Sequence, residues 1–353
     1  LATSVAVKIR KFNVGSPQPL KDRRQMSKVL CTALSAETGP HFELLKAAGF
    51  ECDVVSRSVD LSLEAAYIAE LQGYCAVLAG SEPFTPKVLQ ACPELRVISR
   101  AGVGFDAIDL ATCDQQQIVV ATSPGVNHHA VAEHTIALLM AVARGLPSAD
   151  HGVRNCAWTR TARPRVQGST LGLIGLGRIG SATATRAIGL GMHVIAHDPV
   201  ASIDFAAQHN IELVTLQELY AAADYVSLHC PVTDATKGLI NAATIAQMKD
   251  SAVLINTARG QLVHEPDLCT ALATGKLRGA GLDVFDVEPL PADSPLIHMR
   301  NVMLSDHIAG LDCESHEDTW WMVADTVIQL RNGDWPAERI QNLKNVTDWS
   351  WNR

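Results

Sequence analysis

The stretch GLIGLGRIG, residues 172–180, places glycines at Gly175, Gly177 and Gly180 between a run of aliphatic residues and a helical pattern. Each glycine has a mechanical reading. Gly175 permits a tight turn out of a strand, Gly177 lets backbone approach a pyrophosphate, and Gly180 lets helix and strand pack closely. The next helix would point free N–H groups and the positive end of its dipole at phosphates, with Arg178 adding a full charge. A glycine triplet alone is weak evidence. Here it succeeds a strand pattern, opens a helix, and is followed by Asp198 at the end of HVIAHD, residues 193–198. A carboxylate there can bind both ribose hydroxyls and repels a 2′-phosphate, so the pattern predicts a bound dinucleotide, NAD rather than NADP.

The sequence on either side predicts two α/β series. From Thr170 the strands TLGLIGLG, HVIAHD, YVSLHC, AVLINTA, GAGLDVF and VMLSDH alternate with helical segments, and the series is complete by His307. Before it, KVLCTAL, ECDVV, CAVLAG, RVISRAG and IVVATS read as the strands of another parallel unit. Between the two lies NHHAVAEHTIALLMAVARGL, residues 127–146, a long apolar helix with Asn127 at its N-cap. Beyond His307 there is one amphipathic helix, too little for a third domain, so the economical reading returns it to the first unit. The expected fold is α/β with two parallel-sheet domains, a flavodoxin-like substrate domain (28–122 and 308–353) and an inserted Rossmann NAD-binding domain (123–307). Residues 1–27 are basic and lack an apolar h-region, and they read as an N-terminal extension ahead of a natural beginning at Met26.

Composition narrows the function. The chain has 353 residues, 47% apolar and 19% charged, enough for a sizeable core. A net charge of −8 with dispersed acids offers no basic footprint for nucleic acid and points to small-molecule partners. The nine cysteines are scattered and never spaced C-x-x-C, which argues against a zinc ribbon or disulfide framework and for a reducing compartment, the cytoplasm. No apolar run approaches the roughly 20 residues of a membrane span. His129, Glu133 and His134 do not form a metal-protease spacing, and no metal site is expected.

Candidate chemistry clusters where open α/β sheets place ligands, at the carboxyl ends of strands. INTARG puts Arg259 there, GLDVFDVEPL puts Asp283 and Glu288, and LSDHIAG puts His307. Singly, these read as a surface ion pair, a solvated acid and a core histidine. Their recurrence at one edge, with a nicotinamide expected above it, favours a catalytic group.

Through RAGVGFDAIDL, VAEHTIALLMAVAR, GLIGLGRIG, LHCPVTDATKGLIN, MKDSAVLINTARG, GAGLDVFDVEP and HIAG, in that order, the sequence resembles the D-isomer-specific 2-hydroxyacid dehydrogenases, and within them the phosphoglycerate dehydrogenase branch. The resemblance implies that Arg259 holds the substrate carboxylate and polarises its carbonyl. His307 would exchange a proton with the C2 oxygen, and Glu288 would bind the other imidazole nitrogen and fix its orientation. Gly102, Val103 and Gly104 would complete the carboxylate site, with Arg100 beside them as a cation able to reach a phosphate or pair with an acid. Asp283 would engage the nicotinamide carboxamide, Cys230 and Pro231 would line the adenosine side, and Ile179, Thr257 and Gly310 would complete the NAD site. The implied reaction is hydride transfer between nicotinamide and C2 of a 2-hydroxy or 2-oxo acid, by a homodimer joined through the NAD-binding domain.

The sequence departs from the branch in three places. Asp306 stands where many members have proline, His128 and His129 where small polar residues are usual, and Gly80 where the branch often carries a phosphate-binding arginine. The chain also stops at the C-terminal helix, so no serine-sensing regulatory domain is expected. The expected substrate is 3-phosphoglycerate, only modestly favoured; a hydroxypyruvate or glyoxylate reductase and a non-enzymatic NAD-binding corepressor are the alternatives.

Overall fold

Alternation of fully apolar strand runs with amphipathic helices requires both faces of each sheet to be covered, and the computed structural model, which describes residues 27–33, 38–344, 346 and 348–352, meets that requirement twice. The N-terminal extension, apart from Ser27, lies outside the described residues. The chain divides into two units, Leu1–Thr122 with Trp320–Arg353, and Ser123–Thr319.

The first unit contains β1 (Ser27–Cys31), α1 (His41–Ala47), β2 (Phe50–Val54), α2 (Glu64–Leu71), β3 (Ala76–Ala79), α3 (Pro86–Gln90), β4 (Val97–Arg100), α4 (Leu110–Gln116) and β5 (Val119–Ala121). Among the described residues the strands form one parallel sheet in the order β2-β1-β3-β4-β5. Period-2 alternation splits each strand between two cores. Val29, Leu78 and Val97 pack with Trp320, Val323, Ala324 and Val327 on one face, while Leu30, Val77 and Ile98 pack with Tyr67, Phe84 and Leu89 on the other. After the C-terminal helix the chain returns to β5, where Gln341 N–H donates to the Val120 carbonyl at 2.9 Å.

The second unit contains α5 (His128–Arg144), α6 (Leu146–Arg154), β6 (Thr170–Ile174), α7 (Arg178–Gly189), β7 (His193–His197), α8 (Ile203–Gln208), β8 (Glu212–Leu213), α9 (Leu216–Ala222), β9 (Tyr225–Leu228), α10 (Ala242–Gln247), β10 (Ala252–Asn256), α11 (Glu265–Thr274), β11 (Leu277–Leu282) and β12 (Val302–Leu304). Its described strands are parallel, in the order β12-β11-β10-β9-β6-β7-β8. β8 was not anticipated: two exposed residues carry no periodicity to read. The order reverses direction between β9 and β6, and that switch point is where doubly wound sheets bind ligands.

The last helix, α12 (Cys313–Asn332), spans the division. The return to the first unit, expected at residue 308, falls at Trp320. Ile308 and Ala309 donate to the Asp283 carboxylate, and the Ser315 hydroxyl donates to the Val126 carbonyl, which holds this segment on the second unit.

One expectation about the long helix also changes. Asn127 occupies the N-cap position of α5, but its side chain makes no capping hydrogen bond. The apolar face of α5 is buried within its own unit: Leu138, Leu139, Val142 and Ala143 join the core of β6, β7 and β10. Gly279 and Gly281 admit this close approach, since a Cβ on them would stand 2.7 Å from Val142 Cγ1 and 2.9 Å from Leu138 Cβ.

Candidate active site

At the end of β6, Gly175 adopts φ +102°, and a Cβ there would lie 2.5 Å from the His229 carbonyl oxygen. A Cβ at Gly180 would run into the Gly175 carbonyl. Both therefore need glycine to close the turn. Gly177 differs, because a Cβ there would meet no protein atom within 4 Å. Its bareness serves no internal packing and leaves backbone open to a ligand. It is also the N-cap of α7 and supplies no side-chain cap, so the first-turn N–H groups have no partner from the cap. The Asp198 carboxylate reaches this loop from the adjacent strand end and accepts from Leu176 N–H at 2.7 Å and Val200 N–H at 2.8 Å. On the other flank, burial above all, with the Asp198 charge adding, pushes the Cys230 thiol up to about 11. Bare backbone at a helix start, with a carboxylate on one flank and an uncharged thiol beside Pro231 on the other, fits the diphosphate, ribose and adenine of NAD.

The loops after β10, β11 and β12 carry the second group. Asn256 shapes the first, donating to the Arg259 carbonyl at 2.8 Å and accepting from Ala258 N–H at 3.0 Å. Gly260 comes next. A Cβ on it would fall onto the Phe285 carbonyl carbon, so the Arg259 loop and the 285–288 loop touch backbone to backbone. In the latter loop the Glu288 carboxylate accepts from Phe285 N–H at 2.9 Å through Oε1 and lies 2.6 Å from His307 Nδ1 through Oε2. A carboxylate can only accept, so Nδ1 carries the proton and Nε2 is left for another partner. Burial raises the Glu288 carboxyl. The hydrogen bonds from His307 and Phe285 and the charges of His307 and Arg259 outweigh it, and the net is below the ordinary range.

His307 has φ +57°, a left-handed conformation costly for a residue with a Cβ, and its N–H donates to the Asp283 carbonyl. Asp283 is fully buried. Its carboxylate accepts from Ser305 Oγ at 2.6 Å, Ile308 N–H at 3.1 Å and Ala309 N–H at 2.9 Å. His134 Nε2 lies 2.8 Å from Ser305 Oγ and 3.4 Å from Asp283 Oδ1. Burial raises the Asp283 carboxyl, these partners more than offset it, and it ends below the usual value. The residue the resemblance assigns to the carboxamide thus has its carboxylate committed to the loop carrying His307. Thr257 bonds the Thr135 hydroxyl at 2.8 Å, and Gly310 leaves room for Asn127, whose Nδ2 would be 2.8 Å from an added Cβ. Asp306 is exposed.

Ser305 and Thr135 escaped the sequence reading, and His134 entered it only as a rejected metal ligand. Their partners are far away in sequence, and a histidine in an apolar helix has no signal that separates a positioning role from core packing.

Arg100, Gly102, Val103 and Gly104 belong to the first unit. A Cβ on Gly102 would meet nothing within 4 Å, again leaving backbone bare. Arg100 is turned inward: Nε donates to the Gly104 carbonyl at 2.7 Å and Nη1 to the Ala79 carbonyl at 3.5 Å. Its charge also opposes the rise of the buried Glu82 carboxyl, so an acid stands within its reach.

Comparison with known proteins gives the family. Residues 136–309 match the D-isomer specific 2-hydroxyacid dehydrogenase, NAD binding domain. A glyoxylate reductase from Korarchaeum cryptofilum is 38% identical over 266 residues, 74% of this chain and 80% of that protein. A D-3-phosphoglycerate dehydrogenase from Archaeoglobus fulgidus is 37% identical over 282 residues, 79% of this chain and 53% of that protein. The chain spans about half the length of the phosphoglycerate dehydrogenases it matches. The crystal structure of D-lactate dehydrogenase from Aquifex aeolicus, complexed with NAD and lactic acid, superposes with a TM-score of 0.78 at 30% identity, covering 88% of this chain and 98% of that one. The chain belongs to the D-isomer-specific 2-hydroxyacid dehydrogenase family, NAD-dependent oxidoreductases, and carries that family's NAD-binding domain.

Proposed function

We propose that this protein reduces a small 2-oxo acid to the D-2-hydroxy acid, or runs the reverse oxidation, with Arg259, Glu288 and His307 as the reacting constellation. The observation that carries the reading is the 2.6 Å contact between His307 Nδ1 and Glu288 Oε2 in loops that touch the Arg259 loop. When bound, the nicotinamide supplies hydride exchange with C2.

The chain supplies the rest. Arg259 offers two parallel N–H donors to the substrate carboxylate and fixes C2 in register. His307 Nε2 gives its proton to the C2 oxygen as the carbonyl becomes an alkoxide, or takes it in oxidation. Glu288 holds Nδ1 throughout, so the imidazole keeps one orientation while its outer nitrogen changes protonation. Such a positioned acid/base is worth about 10²–10⁴ in rate. Within the first unit, the bare backbone of Gly102 to Gly104 offers N–H donors to an anion, and Arg100 holds that loop in shape. Asp283 acts as a positioning residue through the 305–309 loop. Asp198 selects NAD over NADP through the ribose hydroxyls.

The commitment of Arg100 to Gly104 supports an unphosphorylated acid over 3-phosphoglycerate. Leu146, Val153 and Trp158, exposed apolar side chains on and just after α6, are the surface through which we propose a homodimer forms. Light scattering at micromolar concentration tests the dimer.

The function is tested by NADH oxidation with glyoxylate. We expect turnover, lost by about 10²-fold or more in His307→Ala with NADH binding, read by fluorescence, unchanged. No turnover of glyoxylate, hydroxypyruvate or pyruvate would refute the reading.

A further inference from the structure

Within the second unit, α5 and α7 bring basic side chains together beside the Gly175–Gly180 loop. His128 and His129 open α5, and their ring centroids lie 4.1 Å apart. Arg178 opens α7, and its Nε stands 4.0 Å from where a Cβ on Gly125 would be, just ahead of His128 in the chain. Farther along α7, Arg186 Nη2 lies 2.8 Å from Glu133 Oε1 and 3.5 Å from His129 Nδ1. Glu133 thus offsets Arg186, whereas Arg178 forms no ion pair among the described residues.

His128 is half-buried in this company. Burial first, then the His129 charge, and after these Arg178 and Arg186 hold its imidazole below the ordinary value, against the pull of the Gly125 carbonyl. The segment that packs on Val126 and Asn127 brings one more acid, Asp312, whose carboxylate is taken by the Ser315 N–H. In the free protein at neutral pH the imidazole is therefore uncharged, because a proton on it would join two guanidinium groups of which one carboxylate offsets only one.

We propose that His128 is a proton-linked cofactor-binding residue: its imidazole takes up a proton as the dinucleotide diphosphate settles on the loop beside Arg178, so that NADH binds more tightly as pH falls. The proposal rests on the reading above that seats the diphosphate on Gly177 and the start of α7. Two negative charges there would cancel the Arg178 charge that opposes an imidazolium and add an attraction of their own. The sign follows from linkage. A group whose proton affinity rises on binding adds affinity that is complete below its free value and is lost as pH rises through its bound value. Since the free imidazole titrates below its ordinary value of about 6.5, the change falls in the weakly acid range, and a rise of about one pH unit on binding is a tenfold gain.

The test measures NADH affinity by fluorescence across the range from neutral to weakly acid pH, and proton uptake by calorimetry in two buffers of different ionisation enthalpy. The wild type should bind about three- to tenfold more tightly at the acid end and take up a fraction of a proton. In His128→Gln the affinity should lose most of that pH dependence and the uptake should vanish. ADP-ribose, which carries the diphosphate without the nicotinamide, should give the wild type the same uptake, and this separates His128 from His307 and Glu288. Uptake that persists in His128→Gln, or that is missing with ADP-ribose, would overturn the proposal. If His128→Gln does not fold, His128→Ser and the ADP-ribose measurement decide. NADH binding with no uptake that depends on His128 sinks only the role of His128, whereas a wild type that binds neither NADH nor ADP-ribose sinks the placement of the dinucleotide on this loop.

Discussion

Replacing Asp283 by asparagine removes one charge and changes one oxygen into a donor, at a site where the chain offers only donors. Oδ1 accepts from Ser305 and Ile308, and Oδ2 accepts from Ala309. The amide oxygen can serve one pair, but its NH₂ must then oppose the Ala309 N–H inside a fully buried site. An unsatisfied buried donor costs about 1–3 kcal/mol, and the remaining bonds lose their charge assistance, so the variant should lose about 2–4 kcal/mol. The pH dependence comes from the direction of the shift. The native carboxyl sits below its ordinary value, so its stabilisation is complete above the unfolded value of about 3.9 and fades as pH falls through the native one. Urea unfolding of wild type and Asp283→Asn should therefore differ by the full amount at neutral pH, and the difference should narrow as pH falls below about 3.9. Because the same carboxylate holds the 305–309 loop, kcat should fall about 10²-fold with Glu288 and His307 untouched. A stability gap that does not narrow in acid, or a normal kcat in the destabilised variant, would refute the positioning role.

Three further outcomes are expected. Asp198→Ala should narrow the preference for NADH over NADPH, measured as a ratio of kcat/KM; a wild type that already favours NADPH would mean the carboxylate does not read the ribose. Arg259→Lys should raise KM for the acid about tenfold or more by replacing a two-pronged donor with a point charge, seen in steady-state kinetics with NADH saturating. Gly260→Ala should cost at least about 1–3 kcal/mol because its methyl overlaps the Phe285 backbone; a thermal melt unchanged from wild type would show that the two loops can part without penalty.

Much of the fold was legible because it depends on local periodicity. Short apolar runs such as Val253–Ile255 and Val97–Ile98 must be buried on both faces, and the helices between them show which side chains turn inward. β8 was not legible, since two exposed residues hold no period. The apolar surface of α5 was legible as a quantity but not as a destination. Amphipathicity reports that a face must be covered, and only the placement of Gly279 and Gly281 on β11 shows that the sheet itself comes close enough to cover it.

The same division explains what could be known of the site. Gly175, Gly177, Gly180, Arg259, Glu288 and His307 stand out because turns and strand ends announce where a ligand meets the chain. The relation between their supports does not stand out. Asp283, Ser305 and His134 lie far apart in sequence, and their relation exists only once β11, β12 and α5 are side by side. His307 shows why such support is needed. Its left-handed φ of +57° costs free energy in isolation, and three bonds from Asp283, one through its carbonyl to the His307 N–H and two through its carboxylate to Ile308 and Ala309, keep it there. Burying a carboxylate is itself unfavourable, and here the hydrogen bonds it accepts from Ser305, Ile308 and Ala309 offset that cost. The Asp283 carboxylate and carbonyl therefore anchor the loop that carries His307.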